Sequence, residues 1–207
     1  MKKVLKMLGS TWMVLLIMIM ASYVYAGVYE QTGVTPIDEM QQMMTDVTEE
    51  ESFQQAYEEE RWGMSLDTYR QTVGKLDILK SRFLQGPITF LTACLGLTVA
   101  VLVIQMTARV HERIAGAPKT RLMETVDWAM PSLLAEAGKY LLLALFAAKT
   151  GTLLESRAAW AAVLSVGVGL APYLLNILRR KRAGRPVGGV TIAAAVMSAL
   201  NLGFQMI

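Results

Sequence analysis

Three stretches of this 207-residue chain carry no charged side chain over lengths that a soluble core has no use for: Ile88 to Ala108, Ala158 to Leu178 and Val187 to Ile207. The hydrocarbon core of a bilayer, about 30 Å thick, takes about 20 apolar residues to cross as an α-helix. Lipid offers no partners to backbone N–H and C=O groups, so such runs must bond to themselves as helices. A fourth stretch, Ser132 to Leu154, has the apolar centre Tyr140 to Ala148 but also holds Glu136, Lys139 and Lys149.

Charge placement orients these runs. The segment Arg109 to Arg121 contains Arg109, Arg113, Lys119 and Arg121, and Arg179 to Arg185 contains five bases in seven residues. Cytoplasmic loops are enriched in Lys and Arg, so both segments are expected inside. Leaving and returning between them takes two crossings, which makes Ser132–Leu154 a span despite its charges. The expected sites are then a bacterial inner membrane for the chain, the periplasm for its C-terminus and the outer side for everything between the N-terminal run and Ile88. That outer segment is acidic: Val28 to Lys80 has twelve acids and four bases, a net of −8 in a chain whose total is +3. Such asymmetry points to a membrane or polyanion partner. The bases cluster at the ends of apolar runs, which argues against nucleic acid.

Met1 to Ala26 supports two readings. Lys2, Lys3 and Lys6 precede an apolar stretch, and Val24-Tyr25-Ala26 before Gly27 has the character of a signal-peptidase site. The segment is either a removed signal peptide or a fifth, N-terminal span. The expected fold is therefore an all-α polytopic membrane bundle, with residues 1–26 as signal peptide or anchor, 27–86 as acidic periplasmic amphipathic helices and 87–207 as a four-helix transmembrane domain.

Within 27–86, Thr35-Pro36 has the form of an N-cap followed by Pro at the first helical position, and Ile37, Met40, Met44 and Val47 follow at helical spacing. Thr48 and Glu51 suggest a capping box for a second helix carrying Phe53 and Tyr57. Ser65 would cap a third, whose stripe Leu66, Tyr69, Val73 and Leu76 is a candidate docking face. The acidic runs Glu49–Glu51 and Glu58–Glu60 lack the alternating oxygen ligands and the glycine of a calcium loop. Between Thr120 and Met130, apolar and charged residues alternate as in a short helix lying in the inner interface, with Trp128 at headgroup depth.

Helices in lipid pair through small residues. Candidate packing stripes are Thr92, Gly96 and Ala100; Ala161, Ser165 and Gly169; and Thr191, Ala195, Ala199 and Gly203. Pro172 should disturb the third run, and Asn176, Asn201 and Gln205 could bond across helices. Glu136 and Lys139 lie three apart and share a face, as a local ion pair or as a functional intramembrane site.

One cysteine, Cys94, and one histidine, His111, leave no ligand set for a zinc site of the usual kind. The chain carries no nucleophile elbow, phosphate loop or dinucleotide fingerprint, and no strand precedes the glycine-rich Gly184–Gly189. The sequence therefore points to a non-enzymatic protein without cofactor or metal. Its expected partners are lipid and other membrane or periplasmic subunits, or a second copy. The role expected is a structural or assembly subunit of an envelope complex of the secretion or conjugation type; the alternative is an oligomeric ion channel or small-solute transporter.

Overall fold

The computed structural model describes residues 2–33, 35–49, 66–153 and 158–205. Among these residues every regular element is helical: α1 (Lys2–Thr32), α2 (Pro36–Glu49), α3 (Leu66–Gly74), α4 (Arg82–Ile114), α5 (Leu122–Ala129), α6 (Leu133–Thr150), α7 (Ala158–Arg182) and α8 (Gly188–Gln205), with 3₁₀ turns at Lys75–Lys80 and Met130–Ser132. Four stretches are long and apolar enough to cross a membrane: Thr11–Thr32 in α1, all of α4, Leu122–Thr150 across α5 and α6, and Ala162–Arg182 in α7. The run beginning at Val187 forms the shorter α8, 18 residues, or about 27 Å at 1.5 Å per residue.

Helix α4 is the centre of the bundle. On one side α1 and α6 lie parallel to each other and antiparallel to α4. Val14, Met18 and Ala21 of α1 meet Ala93 of α4 and Leu133 and Ala137 of α6. Further along, Tyr25 and Tyr29 close on Leu143, Ala144, Ala147 and Leu153. The Tyr25 ring stands edge-on to Tyr29 and Tyr140, with centroids 4.4 and 5.0 Å away. Helix α1 runs unbroken through Ala26 and Gly27, and Tyr25, Ala26 and Tyr29 are all buried. On the other side, Ala100, Ile104 and Ala108 of α4 pack with Tyr173 of α7 and Val190, Ala193 and Ala194 of the antiparallel α8.

Alanine dominates these contacts, while Leu16, Leu95, Met106, Leu145, Leu174 and Ile192 point outward. Small residues inside and large apolar ones outside is the pattern of helices packed in lipid, where burying an aliphatic chain gains nothing and close backbone approach gains dispersion. The approach is tightest at the glycine-rich turn into α8. A Cβ on Gly189 would stand 2.5 Å from the Thr107 carbonyl oxygen of α4, and one on Gly188 would meet the His111 ring at 3.0 Å. These two glycines therefore serve helix contact.

At the other end of the bundle, Thr35 caps α2 reciprocally with Asp38. The Thr35 N–H and hydroxyl donate to the Asp38 carboxylate at 2.8 and 2.6 Å, and the Asp38 N–H returns to the hydroxyl at 3.2 Å. Thr48, expected to cap a second helix, is still inside α2; Glu51, Phe53 and Tyr57 lie outside the described residues. Helix α4 begins earlier than the apolar run implies, at Arg82 behind the Ser81 cap, and Pro87 sits inside it. So near the helix start, the missing proline N–H removes a single bond.

Lys80 ties α2 to the turn before α4, 2.6 Å from Asp38 and 2.8 Å from Asp77. Gln41 of α2 donates to the Val73 carbonyl and to Asp77 at 2.9 and 3.2 Å. Burial pushes the Asp38 carboxyl up, but its bonds to Lys80 and Thr35 outweigh this and hold it below the usual range. Lys80, and then Gln41, hold Asp77 low, while Lys80 itself is raised by its two carboxylate partners.

Two expectations follow from this packing. Gly189→Ala, which pushes a methyl into a backbone carbonyl, should destabilise by about 1–3 kcal/mol as overpacking does. Gly203→Ala, whose Cβ meets nothing within 4 Å, should leave thermal unfolding in detergent unchanged. The depressed carboxylates bind more protons when separated from Lys80. Their contribution is therefore complete above the ordinary aspartate pKa of about 3.9 and is lost as pH falls through the lowered values. Amide exchange over Pro36–Glu49 should be flat between about pH 5 and 8 and accelerate only under stronger acid, after correction for intrinsic rates.

Candidate functional site

The apolar run of α4 stops at Ala108, but the helix continues to Ile114, and α7 likewise continues past Leu178 to Arg182. On these extensions Glu112 and Arg180 face each other, each with 0% of its side chain exposed and 2.7 Å apart. Around them the two basic segments come together. Thr120 donates its N–H to Glu112 at 2.9 Å, and its hydroxyl donates to the same carboxylate. The Thr120 hydroxyl also accepts from Arg185 Nη1 at 2.7 Å. Residues 115–121 are thus folded back onto α4, through a left-handed turn at Gly116 (φ 62°).

A second layer ties in α5. Gln105 donates to the Thr120 carbonyl at 3.0 Å and accepts from the Thr125 hydroxyl at 2.5 Å. Asn176 of α7 donates to the Pro172 carbonyl at 3.1 Å and reaches the Thr125 carbonyl at 3.5 Å. Glu124 accepts the Arg121 N–H at the start of α5 and lies 3.4 Å from Arg185. The Arg180 and Arg185 guanidiniums stand 5.8 and 5.9 Å from the Trp128 ring centre, within cation–π reach.

Both Glu112 oxygens are engaged, so this carboxylate acts as an anchor. Arg180 is only partly satisfied: Nη1 holds Glu112, while Nε and Nη2 have no hydrogen-bond partner. The Asn176 Oδ1 and the Tyr173 hydroxyl are likewise buried and unpartnered.

The residues singled out from sequence fall elsewhere. Thr92, Gly96 and Ala100 line a cavity of about 510 Å³ between α4, α7 and α8. Ser165 and Gly169 meet α8 through Asn201: the Ser165 hydroxyl donates to Asn201 Oδ1 at 3.0 Å, and Asn201 Nδ2 donates to the Ser165 carbonyl at 3.2 Å. Ala161 lies on α7. Thr191, Ala195, Ala199 and Gly203 face outward on α8, which meets its neighbours through Val190, Ala193 and Ala194 instead. Glu136 and Lys139 pair at 2.6 Å, and the Lys139 ammonium lies 4.7 Å from the Tyr140 ring centre. Glu136 also lines a smaller cavity of about 110 Å³ with Ser132, Gly96 and Pro172. Leu66 opens α3, and Tyr69, Val73 and Leu76 are half-buried.

Sequence reasoning treated the basic segments as topology signals and passed over Gln105, Glu112, Thr120 and Thr125. A signal was present. Glu112 follows Ala108 by four residues and Ile104 by eight, continuing the buried face of α4 beyond the apolar run. Tyr173, Asn176 and Arg180 repeat that logic on α7 at spacings of three and four. No family model, curated protein or solved structure matches this chain.

Removing one member of a buried pair strands the other charge, at a cost of about 3–5 kcal/mol. Glu112→Ala should therefore lower stability by that order in thermal unfolding. The double change Glu112→Met with Arg180→Met should recover most of the loss, because no uncompensated charge remains.

Proposed function

We propose that this chain is a structural or assembly subunit of a multi-protein complex of a bacterial inner membrane, of the secretion or conjugation type. The observation that carries the reading is the outward face of α8. Thr191, Ala195, Ala199 and Gly203 form a small-residue stripe that the chain's own helices leave uncovered, on the side where a close helix neighbour gains most from a short approach. On the acidic segment Met40, Met43, Val47 and Ile78 are exposed as well. In this reading α2 and α3 stand in the periplasm and the basic segments in the cytoplasm. The Glu112–Arg180 contact and the 3.6 Å Glu30–Arg82 contact lie at opposite ends of the bundle. Helix α1 stays as a span, because Met18, Ala21 and Tyr25 fill the face of α6.

A photoreactive residue at Ala195 or Ala199 should cross-link in native membranes to a second polypeptide, and one at lipid-facing Leu102 should not. Adducts to lipid alone at both α8 positions, from a chain that purifies as a monodisperse monomer, would overturn the reading.

A second reading, an oligomeric channel or small-solute transporter, draws on Glu136 at the edge of the 110 Å³ cavity beside Pro172. Liposome flux that Glu136→Gln leaves intact would remove this residue from any such path.

A further inference from the structure

We propose that the cavity between α4, α7 and α8 is a binding site for one acyl chain of a membrane phospholipid. The inference rests on the chain lying in a bilayer and not on the assembly reading.

The cavity lies far from either end of the bundle. Its wall on α4 runs from Thr92 to Ala100, ten residues after the start of that helix at Arg82 and fourteen before its end at Ile114. At 1.5 Å per residue this leaves about 15 and 21 Å of helix on the two sides. What surrounds a spanning helix at that depth is hydrocarbon. The cavity also opens sideways: Leu95, Gly96, Val99 and Leu200 belong to its wall and are exposed.

The wall offers a ligand little to bond. Most of its side chains are apolar, and the polar ones are occupied inside the protein. The Ser198 hydroxyl donates to the Ala194 carbonyl at 2.7 Å. Asn201 accepts from the Ser165 hydroxyl and donates to the Ser165 carbonyl, at 3.0 and 3.2 Å. Tyr173 is 2% exposed, and its hydroxyl is buried. A water held in a cavity needs two to four polar partners, and an ion would leave its hydration shell with nothing to replace it. An aliphatic chain needs neither.

Shape and size agree. Nothing stands within 4 Å of where a Cβ on Gly96 would lie, so the cavity reaches the backbone of α4. Its volume of about 510 Å³ falls within the about 300–1,000 Å³ of small-ligand sites. Left empty, it would forfeit dispersion contacts along the whole wall. An acyl chain from the adjoining lipid recovers them, and it has no water to shed on entering.

The chain purified from membranes into a mild detergent should carry one phospholipid through native mass spectrometry. Gly96→Phe, whose ring would take up the cavity, should lose that lipid. Gly203→Phe, at a position that is also open but lies outside the cavity, should keep it. A Gly96→Phe chain that retains the lipid, or a wild-type chain that carries none, would overturn the site. A second measurement needs no substitution. In phosphatidylcholine vesicles containing a phospholipid with a mid-chain diazirine, illumination should label Leu170 and Met197, which are half-buried and line the cavity. Labelling confined to outward-facing side chains such as Leu145 and Val196 would overturn the site, whether the cavity is closed or filled by another polypeptide.

Discussion

A carboxylate and a guanidinium wholly out of solvent persist as charges only because each is the other's counter-charge, and that requirement fixes where their helices can sit. Glu112 and Arg180 are such a pair. Together with Thr120 they settle the height of α7 against α4 and turn the connection after α4 back beneath the bundle. With that height set, Tyr173 comes level with Ile104, and α8 enters against Thr107 and His111 where only glycine fits. Buried ion pairs add little net stability over an apolar isostere. Their value here is register, since a shift of one residue along α7 would move Arg180 off its carboxylate.

The division of labour across the bundle follows from its solvent. In lipid an outward leucine is already solvated, so contacts are drawn from alanine and glycine and the larger side chains are left outside. The α1–α6 contact is the exception, built from Tyr25, Tyr29 and Tyr140. Aromatic edges give a pairing that depends on ring geometry, and these three rings stand toward the end where the acidic segment begins.

Helices α4 and α7 were legible because an uncharged run of about twenty residues has one physical solution in lipid, whereas the run from Val187 gave a helix shorter than the four candidate spans. The Thr35 cap and the short helix α5 were legible because capping and amphipathic alternation are local. What escaped was longer in range. The apolar runs mark where hydrocarbon ends, not where the helix does, so the last turns of α4 and α7 read as loop, and Glu112 was hidden among bases. Small-residue stripes identified faces without saying what lies against them. Thr92 and Gly96 border a cavity, and the α8 stripe faces outward, because the helix rotation that decides this is set by contacts such as Gly189 with Thr107. Polar bonds between helices follow the same rule: the residue types of Ser165 and Asn201 announce a bond, but only the fold supplies the partner.

The α1–α6 contact also bears on how such a chain is made. Tyr25 meets Tyr140, more than a hundred residues further along the polypeptide. At about 5–20 residues per second, synthesis separates the two by on the order of ten seconds. During that interval the first helix has α4 as a neighbour but not its larger, tyrosine-lined one. The nascent protein therefore passes through a stage in which an apolar helix with a half-finished surface must be kept from competing neighbours, and the emergence of α6 is the event that ends it.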